Sequence, residues 1–306
     1  MQSFNKIIIP GGSGFLGQVL IKYFLGKGME VVVLSRKPGM VNGNLKYVFW
    51  DGENLGDWAK ELEGAKAVVN LAGRSVDCRY NEKNKKAIYD SRLNSTAVLG
   101  KVIANCKKPP EVWINAASAT IYRHAEDRPM DEETGEIGTG FSVDVCKKWE
   151  ALFNEIEVPG TRKVLMRLAM VFGKAGGVMV PFKNLVKFGL GGQQGKGTQY
   201  MSWLHENDFA EIISWMIQNE SAIGIYNCSS PNPIPNKEFM NAFRLAFDQK
   251  IGVPATEWMV KFGVFLMRTE AELILKSRRV VPTRLLKDGY KFQFTKIKEA
   301  LADLTD

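Results

Sequence analysis

Short runs apolar at nearly every position recur through the first 175 residues: KIIIP (6–10), EVVVLS (30–35), YVFW (47–50), AVVNLA (67–72), VWINAA (112–117) and KVLMRLAMV (163–171). A strand with one wet face alternates polar with apolar residues. These runs do not, so each is expected to be buried on both faces. Stretches with helical spacing lie between them, near 15–27, 82–106 and 143–156. Strand and helix in alternation give a parallel sheet covered on both sides, a doubly wound α/β architecture.

After Phe172 the texture changes. GKAGG (173–177) and GLGGQQGKG (189–197) read as glycine-rich loops, and SWLHENDFAEIISWMIQ (202–218) returns to a regular pattern. IYNCSS (225–230) reads as a last strand of the main sheet, and SSPNPIPNKEF (229–239) as a turn-rich linker. In that linker NKEF suits a helix start with Asn236 as cap. The remainder reads as helical, with a long apolar segment from 256 to 275. The expected division is a sheet domain of residues 1–173 plus 202–228, and a small, mainly helical C-terminal lobe of 174–201 plus 229–306.

The first strand runs into KIIIPGGSGFLGQVLIKYFLGKG (6–28). Gly12, Gly14 and Gly17 give G-x-G-x-x-G, and Gly11, Gly14 and Gly17 give G-x-x-G-x-x-G. A glycine turn that leaves a strand and opens a helix is the dinucleotide-binding context of a Rossmann-type sheet. Gly11 and Gly12 are expected to take unusual backbone angles, Gly14 to let a pyrophosphate approach, and Gly17 to seat the helix on the sheet. With Ser13, Phe15 and Leu16 they offer backbone N–H groups and a helix dipole to phosphate. The second strand ends in LSRK, with Arg36 and Lys37 where an NAD site places Asp or Glu. A guanidinium pairs with a 2′-phosphate, so the expected cofactor is NADP(H); the alternative for Arg36 is a plain loop charge. Asp51, after the third strand, is placed to accept from the adenine amino group, and Asn70, Leu71, Ala72 and Gly73 to line the middle of the cofactor.

GGSGFLG, NLAG, SATIY and SWLHENDF together resemble the extended short-chain dehydrogenase/reductase superfamily. DSRLNST (90–96), CKKWE (146–150), GLGG (189–192), QYMSWLHENDF (199–209) and PTRLLKDGYKFQF (282–294) narrow the resemblance. They are similar to an atypical branch of NAD(P)-dependent epimerase-like proteins with a short C-terminal domain of unknown function. The resemblance implies a Rossmann domain, an NADP(H) site and a small lobe closing a substrate cleft. It also implies a Ser, then Tyr-x-x-x-Lys, with tyrosine as acid/base and lysine on the ribose. Ser118 matches the serine, which orients the substrate oxygen. In FSVDVCKKWE (141–150), Ser142 stands at the tyrosine position and Cys146 at the lysine position; the one Tyr-x-x-x-Lys of the chain, Tyr23 to Lys27, lies in the helix that follows the glycine turn.

Two substitutes are conceivable. Tyr122, near Ser118, reaches the nicotinamide region or is a packed loop aromatic. Cys146 faces the cofactor and does acid/base work through a lowered pKa, or is a small buried side chain. Arg74, Arg79, Arg92, Arg123 and Arg167 are the expected binders of an anionic substrate, with a structural role open for Arg92 and a loop-network role for Arg167. Asp208 is expected to cap the helix from 209, and His205 to join the lobes.

The chain of 306 residues is 45% hydrophobic with a net charge of +8. Its densest basic clusters, NEKNKK (81–86) and KSRR (276–279), lack interleaved aromatics and read as solvated helix faces, which argues against a nucleic-acid partner. No uncharged apolar run reaches the ~18 residues of a membrane span, and no secretory leader is expected. Cys78, Cys106, Cys146 and Cys228 make no metal-ligand spacing with His124 and His205, so no metal is expected and reduced cytoplasmic thiols are. The helix at 82–106 is where extended members of the superfamily often dimerise, which admits a homodimer. The expected function is an NADP(H)-dependent oxidoreductase or epimerase-like catalyst on a small anionic molecule. The alternative is a non-catalytic NADP(H)-binding redox sensor.

Overall fold

The computed structural model of the chain describes residues 5–37, 39–174 and 176–305. Strand β1 (Lys6–Pro10) passes through the glycine turn into α1 (Phe15–Gly26) and on to β2 (Glu30–Ser35). A short hairpin of β3 (Val41–Asn42) and β4 (Leu45–Phe49) follows, then β5 (Ala67–Asn70), α2 (Glu82–Ala104), β6 (Val112–Ser118), α3 (Phe141–Glu155) and β7 (Arg162–Leu168). Next come β8 (Met170–Gly173), β9 (Gly176–Gly177), α4 (Met179–Lys187), β10 (Tyr200–Met201), β11 (Trp203–His205), α5 (Glu206–Gln218) and β12 (Gly224–Cys228). The chain ends through β13 (Ile234–Pro235), α6 (Asn236–Ala246), α7 (Glu257–Met267), α8 (Glu272–Leu275), α9 (Thr283–Lys287) and α10 (Ile297–Thr305).

The main sheet has the order β12-β7-β6-β5-β1-β2-β4-β3. Its pairings are parallel except β3 with β4. β1 pairs with β2 on one side and β5 on the other, so the winding reverses there and a crevice opens beyond the strand ends.

The apolar runs are apolar throughout because both faces are covered. Ile7 and Ile9 of β1 pack with Leu20 and Phe24 of α1 and with Phe209 and Ile213 of α5. Ile8, between them, packs with Leu99 and Ile103 of α2 and Phe153 of α3 on the other face. A separate cluster joins Phe172, Phe182, Trp203, Phe239, Phe243, Phe294 and Leu301. That is where α4, α6 and α10 gather.

Three expectations are corrected here. The run at 163–171 is two strands. The Ala169 amide still donates to Cys228 O, but the Met170 amide donates to Ser202 O, so β8 leaves the main sheet and pairs with β11. The apolar segment at 256–275 breaks at Arg268, which takes the left-handed conformation at φ 59°. The Thr269 amide then donates back to Val264 O and closes α7.

The third correction concerns caps. Asn236 is the first residue of α6 and does not cap it. Its side chain is buried and accepts from the Gln194 amide at 2.8 Å. Asp208 does not cap α5 either. It is buried and accepts from the amides of Gln293 (2.8 Å) and Phe294 (2.9 Å), which ties the C-terminal segment to α5. The cap is His205, whose Nδ1 accepts from the Asn207 amide at 3.0 Å.

The His205 ring stacks on Phe294 at 3.8 Å, with Nε2 3.3 Å from Asp303 of α10. Burial holds this imidazole below its ordinary pKa, against the pull of Asp303. The unfolded chain therefore binds a proton below about pH 6.5 that the native chain does not. Stability is full above that pH and falls as pH drops toward the lower folded value, by at most about 1.4 kcal/mol per pH unit from this group. Urea midpoints taken between pH 7.5 and 5 should show this slope, and His205→Asn should flatten it.

Candidate functional site

The crevice floor is the turn after β1. Gly11 has φ +77°, and a Cβ there would lie 2.8 Å from the Ala72 backbone. The turn is thereby pressed against the end of β5, with the Leu71 amide donating to Pro10 O. At Gly17 a Cβ would lie 2.2 Å from Gly12 O, so only glycine lets α1 start this close to the strand. Gly14 differs, since a Cβ there would meet only Gly11 O at 3.8 Å. Ser13 and Gly14 are exposed. Helix α1 has no side-chain cap and no acidic residue in its first turn. Among the described residues the amides of Phe15 and Leu16 have no acceptor. Open N–H groups at a helix start with no competing carboxylate fit a phosphate. The Phe15 ring is otherwise employed: Gly173, Gly176 and Gly177 lie so close to it that a Cβ on any of them would come within 2.8 Å. The glycines of GKAGG thus make room for a ring.

Arg36 and Lys37 are exposed where β2 ends. Among the described residues the Arg36 guanidinium has no partner. Asp51 closes a local turn, accepting from the Glu53 and Asn54 amides at 2.9 Å each. Those bonds, with the Asn54 amide first, hold its carboxyl below the usual range. Asn70 is fully buried. It donates to Asn115 Oδ1 at 2.7 Å and accepts from the Ala72 amide at 3.1 Å, fixing the strand ends on which Gly73 stands.

Ser118, at the end of β6, accepts from the Thr120 amide at 3.2 Å and begins a 3-10 turn, 119–121. Tyr122, expected near the nicotinamide, is 2% exposed. Its hydroxyl donates to Asn227 Oδ1 (2.9 Å) and accepts from Arg167 Nη1 (2.8 Å). Burial pushes its pKa up. Arg167 also grips both oxygens of Glu150 of α3, at 2.9 and 2.8 Å. Tyr122 and Arg167 therefore face the interior and one another. Their expected roles as proton donor and substrate binder are corrected to a buried network tying α3 to β7 and β12. Cys146 is buried, and desolvation, then Glu150, pushes its thiol up to about 12. That is the opposite of the lowered pKa that acid/base work needed.

Arg123 is corrected too. It is clamped by Asp127 and Glu136, and these contacts raise its pKa. Its charge is spent on the surface. Arg92 donates to the carbonyls of Arg74 and Ile88, and its guanidinium lies 5.2 Å from the Trp149 ring, beneath Gly73. Arg74 reaches Asn84 Oδ1 at 3.0 Å. Arg79 donates to Phe265 O at 2.7 Å. With Asp77, Cys78, Asn81, Asn84 and Arg268 it lines an open cleft of about 560 Å³.

The part of the site that sequence reasoning missed comes from the C-terminus. KSRR (276–279) is no solvated helix face but a strap laid across the end of β6. Lys276 Nζ donates to Thr120 O at 2.9 Å and lies 3.7 Å from Glu272. Arg278 Nε donates to Thr120 Oγ1 at 3.2 Å. Glu272 Oε2 accepts from Ser142 Oγ, and the Ser142 hydroxyl meets the Tyr80 hydroxyl, at 3.3 Å each. Glu270 accepts from the Tyr80 amide at 2.8 Å. The one sequence signal was the density of charge at 276–279, which by itself reads as surface.

Tyr122→Phe should lower stability by about 1–3 kcal/mol, because it strips two buried partners of a hydroxyl. It should leave nucleotide affinity unchanged. Urea unfolding beside a fluorescence titration checks both.

The profile of the NAD-dependent epimerase/dehydratase family matches residues 7–229, and that of a domain of unknown function, DUF1731, matches 255–304. The chain is 30% identical to the epimerase family protein SDR39U1 of Homo sapiens, covering 98% of this chain and 99% of that one. It is also 30% identical to the epimerase family protein YfhF of Bacillus subtilis, covering 98% and 97%. The crystal structure of human SDR39U1 (isoform 2) with NADPH superposes with a TM-score of 0.88 at 30% identity, over 98% of this chain and 99% of that one. A UDP-N-acetylglucosamine 4-epimerase from Bacillus cereus shares the fold, with a TM-score of 0.75 at 18% identity over 98% and 95%. A glycine turn opening a helix at the switch point of a parallel sheet, a family match over most of the chain and relatives matched end to end agree: the chain belongs to the NAD-dependent epimerase/dehydratase family, in a form that carries the DUF1731 domain at its C-terminal end.

Proposed function

We propose that the chain is an NADP(H)-dependent oxidoreductase or epimerase-like enzyme acting on a small anionic molecule. The observation that carries the cofactor choice is Arg36, exposed and unpartnered among the described residues, where a carboxylate would select NAD. The open N–H groups of α1 take the pyrophosphate, and Arg36 and Lys37 take the 2′-phosphate. Asp51, Leu71, Ala72 and Gly73 bound the crevice between them. The human relative solved with NADPH supports the same choice. When bound, the cofactor supplies or accepts a hydride.

Ser118, at the end of β6, which pairs with β5, orients the reacting oxygen in this reading. The substrate side is basic. Arg79 and Arg268 line the cleft, Arg74 reaches its lining residue Asn84, and Lys276 and Arg278 both bond to Thr120, two residues beyond Ser118. Clustered cations of this kind suit a carboxylate or phosphate on the substrate. A second reading, a non-catalytic NADP(H) sensor, draws support from Ser142 and Cys146 on α3, since neither replaces a tyrosine–lysine pair and the Cys146 thiol is buried.

In a fluorescence titration the protein should bind NADPH tightly and NADH weakly. Arg36→Ala should cost about ten- to a hundredfold in NADPH affinity, the worth of charge-assisted bonds of ~1.5–3 kcal/mol, and leave NADH unchanged. Equal affinities in the wild type would remove the 2′-phosphate assignment. A panel of quinones, aldehydes, keto acids and sugar nucleotides then separates the two readings. The enzyme oxidises NADPH with some member of the panel, and Ser118→Ala abolishes it. The sensor changes conformation or oligomeric state on binding NADPH with no turnover.

A further inference from the structure

The place on α3 where the tyrosine and lysine are missing is not empty. Ser142 and Cys146 are four residues apart and so lie on one face of the helix. Ser142 is covered by the hydroxyl of Tyr80, from the loop before α2, at 3.3 Å. The Tyr80 ring packs on Phe141 at 4.6 Å, and its amide is fixed by Glu270, so the hydroxyl is aimed and held. Burial and Glu150 raise the Cys146 thiol, and the positive charges of Arg92 of α2, Lys276 of the strap and Arg167 of β7 act on it in the opposite sense. The Lys276 side chain is only 10% exposed. Of its three N–H donors, one serves Thr120 O at 2.9 Å, two residues beyond Ser118, and a second is turned to Glu272 at 3.7 Å. The third has no partner among the described residues.

We propose that Tyr80 and Lys276 do the work of the two groups absent from α3: the Tyr80 hydroxyl gives its proton to the reacting oxygen beside Ser118, and the Lys276 ammonium holds the nicotinamide ribose. This rests on the reading of the chain as an NADP(H) enzyme. Ser142 donates to Glu272 Oε2, so it accepts from Tyr80, and the bonds run Tyr80 to Ser142 to Glu272. Reduction of a carbonyl takes one hydride, from NADPH, and one proton. As the substrate oxygen takes that proton the Tyr80 O–H bond breaks. The phenolate regains a proton from Ser142, which is resupplied from water on the side of Glu272, whose side chain is 32% exposed. Burial, then the charges of Glu272 and Glu270, hold the Tyr80 hydroxyl above its ordinary pKa, so it is protonated and has a proton to give.

The test begins without a substrate. Affinities for NADPH and for adenosine 2′,5′-bisphosphate, which has the 2′-phosphate but no nicotinamide ribose, are measured on wild type, Lys276→Met and Lys276→Arg, with thermal melts alongside. Lys276→Met should bind NADPH at least tenfold more weakly and the bisphosphate unchanged, and Lys276→Arg should recover most of the loss. Loss of both ligands in parallel, or of neither, overturns the role of Lys276. Tyr80→Phe should keep NADPH affinity and lower kcat on any carbonyl probe that the wild type reduces by at least a hundredfold, within the usual range for a lost general acid. Unchanged kcat overturns the role of Tyr80 while leaving the enzyme reading intact. A wild type inert to the whole panel overturns Tyr80 together with the enzyme reading, and the Lys276 binding result still stands or falls by itself.

Discussion

The site depends on the burial of one short segment. Residues 276–281 thread between the loop at 120–131 and residues 200–202, and a buried backbone must place every donor and acceptor. This one does. The Ala125 amide donates to Ser277 O, Arg278 N to Tyr200 O, Met130 N to Arg279 O and Val281 N to Met130 O. The Ser277 hydroxyl donates to Ala125 O at 2.6 Å and accepts from the Tyr200 amide at 2.8 Å, while Ser202 serves both Arg278 O and Val280 N. Orphaning any one of these costs about 1–3 kcal/mol, so the path of the segment is over-determined. The heads of Lys276 and Arg278 are carried to Thr120 by a backbone that has nowhere else to go.

The sheet was legible because its strands are buried on both faces, and that burial writes itself into the sequence as unbroken apolar runs. Ile7, Ile8 and Ile9 look alike in the sequence yet serve two different cores. The same signal fails where a run changes partners. Nothing in KVLMRLAMV marks that Met170 bonds to Ser202 while Ala169 bonds to Cys228. It fails again at Arg268, a left-handed helix end with no glycine to announce it. Asp208 and Asn236 have the residue types of helix caps. Their partners, Gln293, Phe294 and Gln194, are 42 to 86 residues away, and burial rather than local spacing chose them.

The cofactor end of the site was legible for a related reason. A glycine turn does its work within a few residues, and Gly11 and Gly17 each carry a steric reason that can be read in sequence order. The chemical end was not. Tyr122 and Arg167 have the right residue types close to Ser118, but they satisfy each other inside the protein. Tyr80 and Glu272, which do meet at Ser142 of α3, are 62 and 130 residues from it, and Lys276 sat in a cluster that looks like surface charge.

That separation has a physical consequence. Two groups at i and i+4 of one helix hold their spacing whatever the rest of the chain does. Here the hydroxyl comes from a loop, its acceptor from α3, and the carboxylate and ammonium from a segment beyond α7. Their geometry exists only while the C-terminal segment is docked. Docking is enforced by Ser277 and Arg278 at one end and by Asp208, holding the amides of Gln293 and Phe294, at the other. Each fixed residue of a loop or strap costs about 1–2 kcal/mol of backbone entropy that a helix has already spent. The dense lacing of 276–281 is the offset to that cost. Loss of the C-terminal segment would take the arrangement of Tyr80, Ser142 and Glu272 with it, which accords with relatives matched from end to end.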